Sequence, residues 1–157
     1  DTMKRIEGLI DVIKLCVRNA EQLTGAKADI SWGEISAERY PNRPMCQAFK
    51  DNMETLGIEM KWPDPKAQYG SSDIGNVSIK IPAIHDYLSI TDDKTIQAHT
   101  KEYADAAKSE EAQEICLKGA KGLAMTGYDI LSSDEFQAEI RRFHEQQIPD
   151  FYKEKKS

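Results

Sequence analysis

Between positions 2 and 24, Ile6, Leu9, Ile10, Ile13, Cys16, Val17 and Ala20 recur at intervals of three and four, with polar residues between them. That spacing predicts a helix with one apolar stripe, and Gly25 supplies a left-handed stop. Over 27–38 the pattern loosens to an alternation in which Ala28, Ile30 and Trp32 share one side, as on a strand. Gly33 bends or ends that strand. Helix, tight glycine turn and strand make half of a split β-α-β unit. Pro41 and Pro44 then interrupt the chain, because the residue before a proline is pushed out of helical geometry. Asn42 stands where it can cap a second amphipathic helix, carried by Met45, Ala48, Phe49, Asn52, Met53 and Leu56 and closed by Gly57. A domain boundary is expected between 38 and 42.

Pro63, Asp64 and Pro65 mark a loop running up to Gly70. The stretch Gly70-Ser71-Ser72-Asp73-Ile74-Gly75-Asn76 is mostly small and polar. It reads as a loop whose backbone N–H groups can approach an anion, since glycine has no Cβ in the way. Two β-branched runs, 77–81 and 84–90, meet at Pro82 and read as short buried strands. Helix returns after His99. Ser109 caps a long one in which Ala112, Ile115, Cys116, Ala120, Leu123, Ala124 and Ile130 are expected to face inward. Gly119, Gly122 and Gly127 on that helix permit a close neighbour, at some cost in helix propensity. Ser132 and Glu135 have capping-box spacing ahead of a last helix with Phe136, Ile140 and Phe143, stopped at Pro149. The tail, 153–157, is expected to fray.

The composition narrows the function classes. With 39% apolar and 31% charged residues over 157 positions, the chain is an ordinary globular one, long enough to bury a core. A net charge of -6 argues against a nucleic-acid or anionic-membrane surface. No apolar run approaches the roughly 18 residues of a membrane span, and the opening residues contain no apolar signal region. Cys16, Cys46 and Cys116 are odd in number and form no CxxC pair, as expected of small core residues in a reducing cytoplasm. A helix that begins within a few residues of position 1, without an initiator Met, suits a piece of a longer protein.

The titratable residues offer few sites. His99, in a loop, is a candidate metal ligand, because imidazole binds zinc through either nitrogen. His85 interrupts an apolar run and reads as a satisfied core histidine, whereas His144 reads as solvent-facing. Glu110 and Glu111 sit in a first helical turn, where they favour the helix dipole. Ser71 and Ser72 have no base paired with them and no GxSxG elbow, which leaves no case for a serine hydrolase.

Taken in order, Gly70-Ser71-Ser72-Asp73-Ile74-Gly75-Asn76-Val77-Ser78, Ile81-Pro82-Ala83-Ile84-His85 and Ala98-His99-Thr100-Lys101-Glu102-Tyr103 closely resemble the C-terminal signature of the metal-dependent amidohydrolases. These are the co-catalytic zinc peptidases that include aminoacylases and carboxypeptidase-G-like enzymes, and the pattern is most similar to the dipeptidase and aminobenzoyl-glutamate-utilisation branch. Leu23-Thr24-Gly25-Ala26, Tyr40-Pro41-Asn42, Leu56-Gly57 and Lys121-Gly122-Leu123-Ala124-Met125-Thr126 fit the same order, so the likeness covers roughly residues 3 to 131. It implies an α/β fold, with 42–157 as the C-terminal part of a zinc-peptidase-like catalytic domain. Residues 1–38 would be the last α-β half of a ferredoxin-like lid, which in the family usually also makes the dimer.

The resemblance implies that His99 is the last ligand of a two-metal site holding zinc or manganese. It implies that Ser72, Asp73, Gly75 and Asn76 line the substrate pocket, with His85 close by. In such enzymes the ions polarise the scissile carbonyl and supply hydroxide, and a Glu base activates the water. The family's early His-x-Asp motif, its Glu-Glu pair and its lid histidine are absent here, so no residue of this stretch is expected to act as a catalytic base. The expected protein is therefore a fragment of a hydrolase that cleaves a dipeptide, an N-acyl amino acid or an aminobenzoyl-glutamate-like amide. The fragment would be inactive on its own, with no metal or one held weakly, and the parent would be a homo-oligomer. The alternative is a non-catalytic binding or assembly module on the same fold.

Overall fold

The computed structural model describes residues 2–64 and 70–153, and their regular structure is helical. Helix α1 (Met3–Thr24) starts at Thr2, whose side chain accepts from the Arg5 N–H, and stops at Gly25 with φ 73°. Helix α2 (Arg43–Thr55) starts at Asn42, whose side chain accepts from the Met45 N–H. Both helices begin and end where the capping residues place them. Then follow α3 (Ile74–Lys80), α4 (Lys101–Ala106), α5 (Glu110–Ser132), α6 (Asp134–Gln147) and α7 (Asp150–Lys153). Ser109 caps α5 as expected. The cap of α6 is Ser133 rather than Ser132, one residue later than the capping-box spacing suggested. No helix among the described residues is long and apolar enough to cross a membrane.

The core lies where α2 packs on α5 and α6. Phe49 and Met53 of α2 are buried against α5 at Gly122, where a Cβ would run into the Met53 sulfur and the Phe49 ring. A Cβ at Gly119 would lie 2.7 Å from Leu88 Cδ1. Each glycine costs roughly 1 kcal/mol in helix propensity relative to alanine. Burying two large side chains in the space they leave contributes about 1.5–3 kcal/mol apiece. The buried face of α5 is thus a seam of Ala112, Gly119, Gly122 and Thr126, while Cys116, Ala120, Leu123 and Ala124, expected inside, lie at the surface. Small residues win the seam because the bulk comes from α2. Gly127 has open space around it and allows no close contact. Asn52 crosses the seam, donating to Thr126 Oγ1 at 3.1 Å and to Asp129 Oδ2 at 2.7 Å.

Of residues 77–81, read as a strand, 77–80 belong to α3. Apolar runs this short do not distinguish helix from strand by themselves. The Ser72 and Asp73 carbonyls accept from the Gly75 and Asn76 N–H groups and start the turn. Pro82 ends it, holding Ile81 extended at φ -138°, ψ 155°. The segments 27–38 and 84–90 are extended in pattern but form no ladder among the described residues, where the pairing is an isolated parallel bridge of Pro41 with Ala83. Strands need neighbours to take their N–H and C=O groups. For residues 35–40, side chains of α3 and α6 take that part.

That substitution is complete enough to trace atom by atom. Asn76 Oδ1 accepts from the Ala37 N–H at 2.7 Å and its Nδ2 donates to the Ile35 carbonyl at 3.2 Å. Ser78 Oγ accepts from the Tyr40 N–H at 3.0 Å, and Gln147 Nε2 donates to the Tyr40 carbonyl at 2.9 Å. The Asn42 N–H donates to the Ala83 carbonyl, and its fully buried side chain donates to the Ile140 carbonyl of α6 at 2.9 Å. Glu38 accepts from the Met3 N–H at 2.9 Å, the Tyr40 hydroxyl at 2.8 Å and the Tyr152 hydroxyl at 2.7 Å, drawing both ends of the chain to one carboxylate. His144, expected in solvent, is half-buried, its Nε2 2.9 Å from the Ser78 carbonyl. Of the expected fraying tail, 154–157 lie outside the described residues, as do 65–69 of the loop before Gly70.

Candidate functional site

The clamped segment forms one wall of a cavity of about 670 Å³. Residues 36–39 supply that wall, Cys46 and Lys50 of α2 the floor, and 60–63 and 70–72 a rim. The bridge at Ala83 brings 84–87 to the same cavity, where His85, Asp86 and Tyr87 join its lining. Ala37 and Glu38 of the first wall are fixed by the bonds to Asn76, Met3, Tyr40 and Tyr152.

Arg39 donates to the Tyr87 hydroxyl at 2.8 Å, and its guanidinium lies 3.4 Å from His85 Nδ1 and 5.8 Å from the centre of the Tyr87 ring. The His85 and Tyr87 rings stack at 4.9 Å, inclined by 27°. Asp86 sits deeper. Its Oδ2 is buried and has no hydrogen-bond partner among the described residues. Burial pushes its carboxyl up to about 6. Burial, and then the Asp86 charge, push the neighbouring Cys46 thiol up to about 12, which makes it an inert wall rather than a nucleophile. Glu38 behaves differently. Burial opposes its ionisation, but the bonds from Tyr152, the Met3 N–H and Tyr40 outweigh that and hold it below the usual carboxylate range. Burial and the nearby Glu38 raise both tyrosines in turn.

The residues expected to form the site divide into three groups. Ser72 and His85 line the cavity, and His85 is exposed there rather than packed in a core. Gly75 and Asn76 stand behind the wall, where a Cβ at position 75 would overlap the Ala37 carbonyl and Asn76 is committed to Ile35 and Ala37. Asp73 and His99 are exposed and do not line it. Glycine at 75 thus serves close approach of a helix to a chain segment. His99 has φ 66°, the left-handed region that non-glycine residues seldom occupy, in the turn just before α4.

A two-metal site needs several ligands around each ion. Among the described residues no three His, Cys, Asp or Glu side chains come together in a way that would hold one. The described residues therefore do not fit such a centre by themselves; His99 is a single candidate ligand. Of the cysteines, Cys46 is buried as expected, but Cys16 and Cys116 are exposed thiols. The pattern reading missed Arg39, Asp86 and Trp62, all of which line the cavity. One signal was available: Asp86 is a carboxylate set inside the apolar run 84–90.

No family model matches the chain. It is similar to the protein named Xaa-Arg dipeptidase from Mus musculus, 35% identical over 147 residues that make up 90% of this chain and 33% of that protein. It is likewise 36% identical to the Xaa-Arg dipeptidase from Homo sapiens over 143 residues, 89% of this chain and 32% of that one. The chain spans about a third of the length of these curated relatives.

Proposed function

We propose that this chain is part of a metal-dependent amidohydrolase that splits dipeptides. The observation that carries the reading is the likeness, across nine-tenths of the chain, to proteins named dipeptidases. Among the three amide substrates that the motifs suggest, it favours a dipeptide, with arginine as the second residue. A cavity of about 670 Å³ lies within the range that small-molecule sites occupy. Apolar and polar side chains share its lining, the combination that packs and orients a small polar substrate.

In this reading, residues 42–157 are the C-terminal part of an α/β catalytic domain and 1–38 part of a lid that makes a homodimer. Helix α1 supports the second assignment, since none of its residues is buried and Leu9, Val12, Ile13 and Leu15 are about half exposed. His99 is proposed as a metal ligand whose companions come from outside the described residues. Its left-handed backbone supports the role, because strained conformations persist chiefly where function holds them.

The test is hydrolysis by the full-length protein, with zinc or manganese, of a panel of dipeptides, N-acyl amino acids and aminobenzoyl-glutamate. Turnover of dipeptides that a chelator abolishes and metal restores is the expected result. The chain of 157 residues alone is expected to turn over none of them. Absence of turnover by the full-length protein across the panel refutes the proposal and favours a non-catalytic module.

A further inference from the structure

The cavity has more charged groups than a dipeptide needs, but most are already engaged. Glu38 accepts from three donors, Lys50 pairs with Glu54, and Arg39 donates to Tyr87. Asp86 differs. Its Oδ2 is buried without a donor among the described residues, and the nearby Cys46 thiol is neutral. Buried carboxylate oxygens are almost always hydrogen-bonded, and Asp86 lines the cavity with that capacity unmet. Elsewhere in the same lining, Met60, Trp62 and Ile84 offer apolar surface of the kind that packs the methylene stem of a long cationic side chain. Trp62 already carries a guanidinium on its face, that of Arg43 at 4.9 Å.

We propose that Asp86 receives the positively charged side chain of the substrate's second residue and so sets the preference for guanidinium or ammonium over a neutral group of the same length. The inference rests on the dipeptidase reading and names the residue through which that enzyme selects its substrate. The two carboxylate oxygens are equivalent, and a small rotation about the soft Cβ–Cγ torsion tilts both so that a cation in the cavity can be shared between them. At neutral pH the carboxyl is ionised in spite of its burial. His85, Tyr87, Arg39, Lys50, Lys61, Glu38 and Cys46 are the titratable groups sharing the space with it.

The experiment compares alanyl-arginine with alanyl-citrulline, whose side chain has nearly the same shape and no charge. Binding is measured by calorimetry on the metal-stripped full-length protein, and kcat/KM on the metal-loaded one. The arginine dipeptide is expected to be favoured about 10- to 100-fold, the range of a charge-assisted bond. Asp86→Asn brings that ratio close to one, chiefly through weaker binding of the arginine dipeptide, and Asp86→Glu restores part of it. The preference fades as the pH falls below about 6. An unchanged ratio in Asp86→Asn, equal losses for both dipeptides, or binding of neither overturns the proposal. If no dipeptide is hydrolysed but arginine selectivity in binding depends on Asp86, the dipeptidase reading falls and the assignment of Asp86 stands.

Discussion

Replacing Gly75 by alanine tests the packing on which the cavity wall depends. The added Cβ would overlap the Ala37 carbonyl oxygen, with the Ala37 carbonyl carbon at 2.8 Å and the Glu38 oxygen at 3.2 Å. All three are backbone atoms, so no rotamer change relieves the clash. Helix α3 has to retreat by something on the order of 1 Å. That lengthens the Asn76 bonds to Ala37 and Ile35 and the Ser78 bond to Tyr40, now 2.7, 3.2 and 3.0 Å. Three bonds at about 0.5–1.5 kcal/mol each, plus overpacking, outweigh the roughly 1 kcal/mol that alanine gains over glycine in a helix. The net expectation is a loss of about 2–4 kcal/mol. Urea unfolding followed by circular dichroism measures it, with Gly127→Ala as the matched control. Position 127 has nothing within 4 Å of an added Cβ, so alanine there is expected to stabilise by about 0.5–1 kcal/mol. Two glycines in helices thus shift stability in opposite directions. If Gly75→Ala is neutral or stabilising with an unchanged denaturant slope, helix α3 does not lie against Ala37 as described.

Asp86→Asn is expected to stabilise the chain at pH 7.5. A carboxyl raised from 3.8 to about 6 by burial keeps a native-state proton that the unfolded chain has lost, so its contribution falls as pH rises through that window. Two pH units correspond to roughly 3 kcal/mol, and partial exposure reduces this to about 1–2. The difference between variant and parent in urea midpoint should grow from pH 4 to 7.5 and then level off; a constant difference refutes the assignment. Glu38 carries the opposite sign. Its depressed carboxyl contributes stability above the ordinary value of 4.5, which is lost as pH falls through the native one. Glu38→Gln should therefore cost about 1–2 kcal/mol at neutral pH and little in acid, read from thermal melts at both. Asn42→Ala removes a cap and the donor to Ile140, so a loss of about 2–4 kcal/mol is expected in chemical denaturation.

Local chemistry made the helix ends legible. Gly25, Asn42, Ser109 and Pro82 act within a turn of themselves, and each did what its side chain dictates. The three expected strands depended on partners that periodicity does not reveal, and 77–80 went to helix once Ser72 and Asp73 offered carbonyls to start one. The inward face of α5 was misread for a related reason. Its glycines mark a contact, but which side bears the bulk is decided by Phe49 and Met53, some seventy residues away in sequence. At the candidate site, Ser72 and His85 line the cavity, though the apolar run around His85 pointed to a core position that its exposure contradicts. Arg39 and Asp86 come from segments brought together by the bridge at Ala83, and charge alone does not foretell which carboxylate will be closed from water.

The side-chain clasp on residues 35–42 has a consequence for spectroscopy. Circular dichroism would count this stretch as coil, yet the amide protons of Ala37, Tyr40 and Asn42 are each held by a bond from elsewhere in the chain. In deuterium oxide those protons should persist about as long as those in the middle of α2, because none is released until α3 lifts or the Ala83 bridge parts. A rigid, slowly exchanging strip with no regular secondary structure would then be the most sensitive reporter of whether the cleft is assembled.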